Sequence, residues 1–424
     1  MRGPYTLAVK AYAAAVRAAA WLGHPKARLW VEGRRSTSQG QAHSVSTDPK
    51  TQTGTAERWV WFHAASLGEF EQGRPLIEAL KAQHPGLKVC LSFFSPSGYE
   101  VRKDYPLADE VCYLPVDTPR NAQAWVQRHP YVAAFFIKYE FWFNYMQALH
   151  EAGTPLYYVS LLLRPQQYFF RWYGGWFRKQ LGLVSHFFVQ DEATLELLKG
   201  IGLNNATVCG DTRFDRVAAI ARQAKPFPEV EAFVQGRHCI VAGSTWPPDE
   251  KLLIPYIERL PDNYCMILAP HDVGAHHVKQ ITAQLRQTLS DDFQCYTDLH
   301  PERKSRVLVL DTIGILSQLY QYARFVYIGG GFGANIHNIQ EPVTFGCPVV
   351  FGPRYKTFKE AVDLTALGGA FPIDSQQALD QVFDRLVHDE PFRQQASAVC
   401  RDYLASQLGA TQKIMDRITS TFSA

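Results

Sequence analysis

From Arg58 onward the chain alternates short apolar runs with helix-sized stretches, and this limits what it can fold into. A first series reads WVWFHAA, KVCLSFF, EVCYLPV, YVAAFFIK, PLYYVSLLL and HFFVQ, and closes at ATVCGDTRFDRV near residue 216. A second reads HCIVAGST, YCMILAP, RVLVLDT, FVYIGGG, CPVVFGP and GGAFPI, followed by helical patterns from Ser375 to Phe422. Apolar strands separated by helix-length connections build parallel sheets covered on both faces. A chain of 424 residues exceeds one typical core. We therefore expect an α/β protein of two doubly wound, Rossmann-like domains, residues 58–216 and 237–424, joined by a linker at 217–236. Such a pair places its site in the cleft between domains, at the carboxyl ends of the strands.

The residues before Arg58 differ. Residues 1–35 carry seven basic side chains against Glu32 alone, while the remainder holds 36 basic and 39 acidic groups. A nucleic-acid binder carries its basic surface on the folded body, so that class is set aside. The stretch YTLAVKAYAAAVRAAAWL is rich in helix formers, with Lys10 and Arg17 on one face. It falls short of the roughly 20 nearly uncharged residues of a spanning helix. Residues 1–34 read either as a cationic amphipathic segment lying in a membrane interface, anchored by Trp21 and Trp30, or as helix packed on the body. Residues 35–57 lack large apolar side chains and read as a flexible linker or long loop.

The eight cysteines are scattered without a CxxC pair and sit in apolar patterns, as buried thiols of a reducing compartment do. No P-loop, GxGxxG, HExxH or GxSxG motif is present. The adjacent His276 and His277 cannot share one helix face, which argues against a zinc pair.

Candidate chemistry gathers at strand-to-helix turns. In the first domain, His63-Ala64-Ala65-Ser66-Leu67-Gly68-Glu69 puts a carboxylate at a helix start. That position favours the ionised form a general base needs, and helix capping explains it equally well. In the second, Ser244 and Thr245 end one strand and Pro270-His271 the next, positions where hydroxyls and backbone N–H groups bind phosphate or merely cap a helix. The glycines Gly329, Gly330 and Gly331 follow a third strand and precede His337, Asn338 and Glu341, the last an acceptor suited to ribose hydroxyls. The aromatic run Tyr168–Tyr173, with Trp176 and Phe177, suits either an acyl-chain contact or core packing.

Read together, these segments resemble the 3-deoxy-D-manno-octulosonic acid (Kdo) transferases. FHAASLGEFEQGRPLI looks like that family's HAxSxGE signature, KYEFWFN its E-x-W-P-N element, and GDTRFD its G-N-x-K-F-D. AGSTWPPDE corresponds to its A-x-S-T-H-x-x-E-E stretch, and DTIGILSQLYQYARFVYIGGGF, HNIQEPVTFGCPVVFGP and LGGAF to its carboxyl-terminal core. The resemblance implies a GT-B glycosyltransferase that inverts, taking Kdo from CMP-Kdo to a tetraacylated lipid A precursor at the cytoplasmic face of the bacterial inner membrane. It implies Glu69 as base and Ser244, Thr245, His337 and Asn338 near the CMP phosphate. Glu341 would lie at the ribose, and Glu140 and Asn144 on the acceptor or donor-sugar side. CMP leaves as a monoester, so no metal or other cofactor is expected.

Three departures stand out. The family's A-P-R-H is Ala269-Pro270-His271-Asp272, with Arg213 and Arg354 as candidates to replace the lost basic contact; its histidine after Ser-Thr is Trp246; its W-P-N proline is Phe143. Two other readings remain: a GT-B enzyme acting on a UDP-sugar, whether transferase or epimerase, or a noncatalytic lipid-surface binding protein.

Overall fold

The computed structural model describes residues 2–38, 43–44, 57–300 and 302–422. They form two compact units, residues 1–215 with 409–424, and residues 216–408.

The first unit holds strands β1 (His43–Ser44), β2 (Trp59–Ala64), β3 (Lys88–Phe93), β4 (Glu110–Tyr113), β5 (Tyr131–Ile137), β6 (Leu156–Leu161), β7 (His186–Val189) and β8 (Ala206–Val208). Their order is β1-β4-β3-β2-β5-β6-β7-β8. The two-residue β1 is antiparallel to β4, and the other seven strands are parallel. Strand alternation divides the apolar residues between two cores. Trp61, Phe136, Tyr158 and Phe187 pack on one face, and Phe62, Phe135, Tyr157 and Phe188 on the other. Both faces are covered, which is why these strands read as continuous apolar runs rather than alternating ones.

The chain's end departs from the expected division at 237–424. Helix Ala410–Phe422 belongs to the first unit, burying Ile414, Met415, Ile418 and Phe422 in the same core as Val60 and Phe62. Asp215 holds its start, accepting from the backbone N–H groups of Gly409 (2.7 Å) and Thr411 (2.6 Å). A helical pattern at the chain's end does not say which sheet it covers, so sequence order alone assigns it to the wrong core.

Two helices, Arg2–Trp21 and Pro25–Ser38, precede the sheet. The second runs past residue 35, where a loop is expected; residues 39–42 and 45–56 of that expected linker lie outside the described residues. Tyr5 donates to Asp117 (2.5 Å) and packs on Phe143, while Tyr12 and Trp30 pack on Phe94. Among the described residues no helix is long and apolar enough to cross a membrane.

The second unit holds β9 (His238–Thr245), β10 (Tyr264–Pro270), β11 (Phe293–Cys295), β12 (Val307–Val309), β13 (Ala323–Ile328), β14 (Val349–Phe351) and β15 (Ala370–Pro372). All are parallel, in the order β11-β12-β10-β9-β13-β14-β15. In each sheet the parallel series starts at a central strand, β2 or β9, builds one flank, and returns to build the other. The reversal falls between β2 and β5 in the first unit and between β9 and β13 in the second. At such a switch point the connections diverge and leave a crevice at the carboxyl ends of the strands.

Candidate active site

In the first unit, β2 ends at Ala64 and helix Leu67–Gln83 begins soon after it, with Ser66 as its cap. Glu69 is the third helical residue, and its carboxylate turns back to accept from the Ser66 N–H (3.0 Å) and hydroxyl (3.3 Å). Both bonds land on Oε2. This is a capping box, and on its own it would keep the carboxylate ionised. Burial outweighs it. Desolvation and then the charge of Glu140 push the Glu69 carboxyl up to about 7, against the opposing pull of Lys138 and the Ala65 and Ser66 amides. The expectation of a carboxylate held ionised by the helix terminus is therefore corrected: Glu69 titrates near neutrality.

Glu140 lies across the switch point, just past β5. It follows Lys138, whose φ of 63° is rarely adopted by residues other than glycine. Glu140 Oε2 accepts from the Trp142 indole (2.7 Å) and lies 3.2 Å from His63 Nε2. His63 is fully buried, with Nδ1 3.1 Å from the Ser92 carbonyl and Nε2 3.0 Å from the Trp142 indole nitrogen. A carbonyl only accepts, so the proton on Nδ1 belongs to that bond. These bonds fix Glu140 where its charge acts on Glu69.

The remaining first-unit candidates lie elsewhere. Asn144 is buried, donating to the Asp117 carbonyl (2.9 Å) and accepting from Arg2 (3.0 Å), which ties the first helix to the body. Arg213 clasps the buried Asp211 through Nε (2.9 Å) and Nη2 (2.6 Å). Two cysteines distant in sequence, Cys90 and Cys112, meet Glu110 in the interior, but that carboxylate already pairs with Arg128 (2.5 Å) and His129 (2.7 Å).

In the second unit the crevice is built from backbone. Ser244, the next-to-last residue of β9, has φ 54°, and a Cβ on Gly329 would lie 2.2 Å from its carbonyl oxygen. Gly330 has φ +91°, and a Cβ on Gly331 would strike the Gly352 backbone at 2.7 Å. These glycines let three strand ends close on one another. Asp249, which the sequence alone does not single out from its neighbours, holds the loop. It accepts from Gly330 N–H (3.0 Å), Trp246 N–H (2.9 Å) and the Tyr327 hydroxyl (2.7 Å). The signal that could have found it is an acidic residue three past the residue that caps the helix.

The amides expected to hold phosphate after β9 are already used. Helix Pro247–Ile257 opens with two prolines, which have no N–H, and the N–H groups of Asp249 and Glu250 bond to the Trp246 carbonyl (2.8 and 3.0 Å). The Thr245 hydroxyl donates to buried Glu250 (3.1 Å), which also holds His277 (3.0 Å). Side chains supply the polar face instead. Pro270 ends β10, and His271, just beyond it, stacks on Trp246 (4.7 Å) and on His337 (4.4 Å). The Trp246 indole donates to His337 Nε2 (3.0 Å), so a neutral His337 keeps its own proton on Nδ1; burial and then His271 hold its pKa below the usual value. Asn338 donates to Glu341 (3.1 Å), whose carboxyl is raised by burial against the pull of Asn338 and Arg216. Arg354 is exposed, its N–H bonded to the Gly331 carbonyl (3.0 Å).

Residues 35–216 match the family model for 3-deoxy-D-manno-octulosonic-acid transferase (kdotransferase). The 3-deoxy-D-manno-octulosonic acid transferase of Bordetella pertussis is 27% identical over 98% of this chain and 98% of its own length. The similarity to Kdo transferases thus runs along nearly the whole chain. A further Kdo transferase, from Aquifex aeolicus, is 25% identical over 72% of this chain and 79% of its own. Among solved structures, the UDP-GlcNAc 2-epimerase from Neisseria meningitidis bound to UDP-GlcNAc gives a TM-score of 0.58 over 86% of this chain and 99% of that one. At 14% identity that likeness concerns the fold alone, and it is the two-domain GT-B fold. Kdo transferases are glycosyltransferases, and Glu69 closes the HAxSxGE motif within the segment that matches their family model.

Proposed function

We propose that this protein is a Kdo transferase, moving Kdo from CMP-Kdo to an acylated glucosamine disaccharide, the lipid A precursor, with inversion at the anomeric carbon. The observation that carries this reading is a motif carboxylate at a switch point, titrating at about 7 and bonded through one oxygen only to its own cap. A base must be free of its proton before it accepts another, and a pKa near the working pH balances availability against strength. Glu69 takes the proton of the acceptor hydroxyl as that oxygen attacks the anomeric carbon. The bond to the CMP phosphate oxygen breaks on the opposite side, and CMP departs as a monoester. Ser244, His271, the Nδ1–H of His337 and Arg354 receive the developing phosphate charge, and Glu341 with Asn338 takes the ribose.

Helix Arg2–Trp21 supports placement at the cytoplasmic face of the inner membrane. Leu7 and Trp21 on it, and Leu22 just after it, are 69%, 85% and 77% exposed, and Lys10 and Arg17 on the same helix are not buried. Apolar and cationic side chains on one surface suit an anionic interface.

The deciding assay follows Kdo from CMP-Kdo onto the acylated disaccharide, wild type beside Glu69→Ala. We expect extension by wild type, and about 10³-fold slower transfer by the variant with CMP binding retained. Equal rates would remove Glu69 from its role. A wild type inert with CMP-Kdo but active on a UDP-sugar would remove the reaction.

A further inference from the structure

Two cavities in the first unit share a wall made by Trp30 and Val116. The larger, about 470 Å³, is lined by Arg17, Arg34, Arg35 and Arg128, and among the described residues no acidic side chain lines it. Its neighbour, about 430 Å³, is walled by aromatic side chains that include Tyr5, Tyr12, Phe94 and Trp142; its acidic group, Asp117, is already bonded to Tyr5 and to two backbone N–H groups.

Arg34 is the unusual member. It is 8% exposed, its guanidinium carbon sits over the Trp30 ring 3.8 Å from the centroid, and it donates to the carbonyls of Trp30 and Phe94. Among the described residues its Nε has no acceptor, nor do the indole nitrogens of Trp30 and Trp125, which line the same cavity and are also buried. Burial draws the Arg34 guanidinium down to about 9, with only tyrosines pulling the other way. Arginines gathered on a cavity that no described acidic side chain lines ask for an anion with several oxygens, and the arginine fork fits phosphate. The aromatic cavity next to it asks for hydrocarbon.

We propose that the two cavities form one bipartite site for a phosphorylated, acylated molecule, its phosphate on Arg17 and Arg34 and an acyl chain against Tyr5, Phe94 and Trp142. This deepens the proposed function and rests on its acylated acceptor. Trp142 links the site to the chemistry, because it walls the acyl cavity and donates to Glu140, whose charge helps raise Glu69.

Binding can be measured without turnover, on the full chain, with four probes. These are the phosphorylated acylated disaccharide in detergent micelles, the same lipid after phosphatase treatment, inorganic phosphate, and vesicles of phosphatidylglycerol or phosphatidylcholine. We expect the phosphorylated lipid to bind at least tenfold more tightly than the treated one. Arg17→Gln, and Arg34→Lys, which keeps the charge but loses the fork, should each erase most of that difference and leave CMP binding intact. Selective binding of phosphatidylglycerol vesicles, lost in both variants, would uphold the site with a membrane headgroup as the phosphate source. Competition by inorganic phosphate against the phosphorylated lipid alone would uphold the anion half of the site. Equal affinity for treated and untreated lipid, or discrimination that survives both substitutions, overturns it. A wild type that discriminates yet transfers nothing from CMP-Kdo upholds the site and defeats the reaction; transfer without discrimination does the reverse.

Discussion

Glu69 and Asp249 occupy the same position in two different units. Each is the third residue of the helix that follows a central strand of its parallel sheet, and each turns back to accept from the backbone N–H of its cap residue, Ser66 or Trp246. Their surroundings separate them. Asp249 also binds Gly330 N–H and the Tyr327 hydroxyl, so both oxygens serve the fold. Glu69 has its cap on Oε2 and a like charge, Glu140, nearby. One carboxylate is spent on holding backbone; the other is held but left able to exchange a proton. Position in the fold marks a place where chemistry can sit, and the partners decide whether it does.

The comparison breaks first at Glu69→Gln. Transfer should fall by about 10³-fold, equivalent to roughly 4 kcal/mol of barrier. Stability should move the other way. A carboxyl raised in the folded state binds more protons there than in the unfolded chain, so its effect on stability turns unfavourable as pH rises from its ordinary value, 4.5, to about 7. The variant should therefore match wild type in thermal unfolding near pH 4 and exceed it near pH 8. The gain should be about 1–2 kcal/mol, discounted because the side chain is partly exposed. A variant no more stable at pH 8 would mean Glu69 is an ordinary capping residue.

Asp249→Ala should give the contrary result. It strands the Gly330 N–H and the Tyr327 hydroxyl in the interior, for a loss of about 3 kcal/mol in the second unit. CMP affinity, read by calorimetry, should collapse with the glycine loop. A stable variant with unchanged CMP binding would sever the link between that carboxylate and the proposed donor pocket.

How far the sequence discloses this depends on the range of the interaction. Strand-to-helix alternation is local, so WVWFHAA and FVYIGGG announce β2 and β13 without help. The three-residue β11 lies in DDFQCYT, where no apolar run marks it, and β1 is two residues pairing across the chain with β4. Glu69 and Asp249 look alike as letters, because what distinguishes them is far along the chain. Burial and then Glu140 decide the first, while Tyr327 and Gly330, which follow Asp249 by 78 and 81 positions, decide the second. The double proline at 247–248 is legible and forbids amide donors there, yet the Ser-Thr pair before it is the stronger signal and points to a phosphate turn.

Trp246→Phe tests a smaller effect. Phenylalanine keeps a ring against His271 but removes the N–H that fixes His337 Nε2 as acceptor. We expect about a tenfold rise in the KM for the CMP-sugar, near 1.4 kcal/mol, with kcat affected less. Unchanged kinetics would leave the His337 tautomer to its other neighbours.

Gly68→Ala is the smallest change and isolates room from structure. Gly68 needs no left-handed backbone, and a Cβ built there meets nothing within 4 Å, unlike Gly329 or Gly330. The fold therefore does not demand glycine at this helix start. Alanine should leave stability within about 0.5 kcal/mol of wild type, or improve it, since it is the better helix former. If the open space beside Glu69 receives the acceptor, the same methyl group should raise the acceptor KM severalfold and leave CMP binding untouched. An alanine variant with wild-type acceptor kinetics would show that the sugar approaches Glu69 from another side, and the second position of this helix would then be free for any small residue.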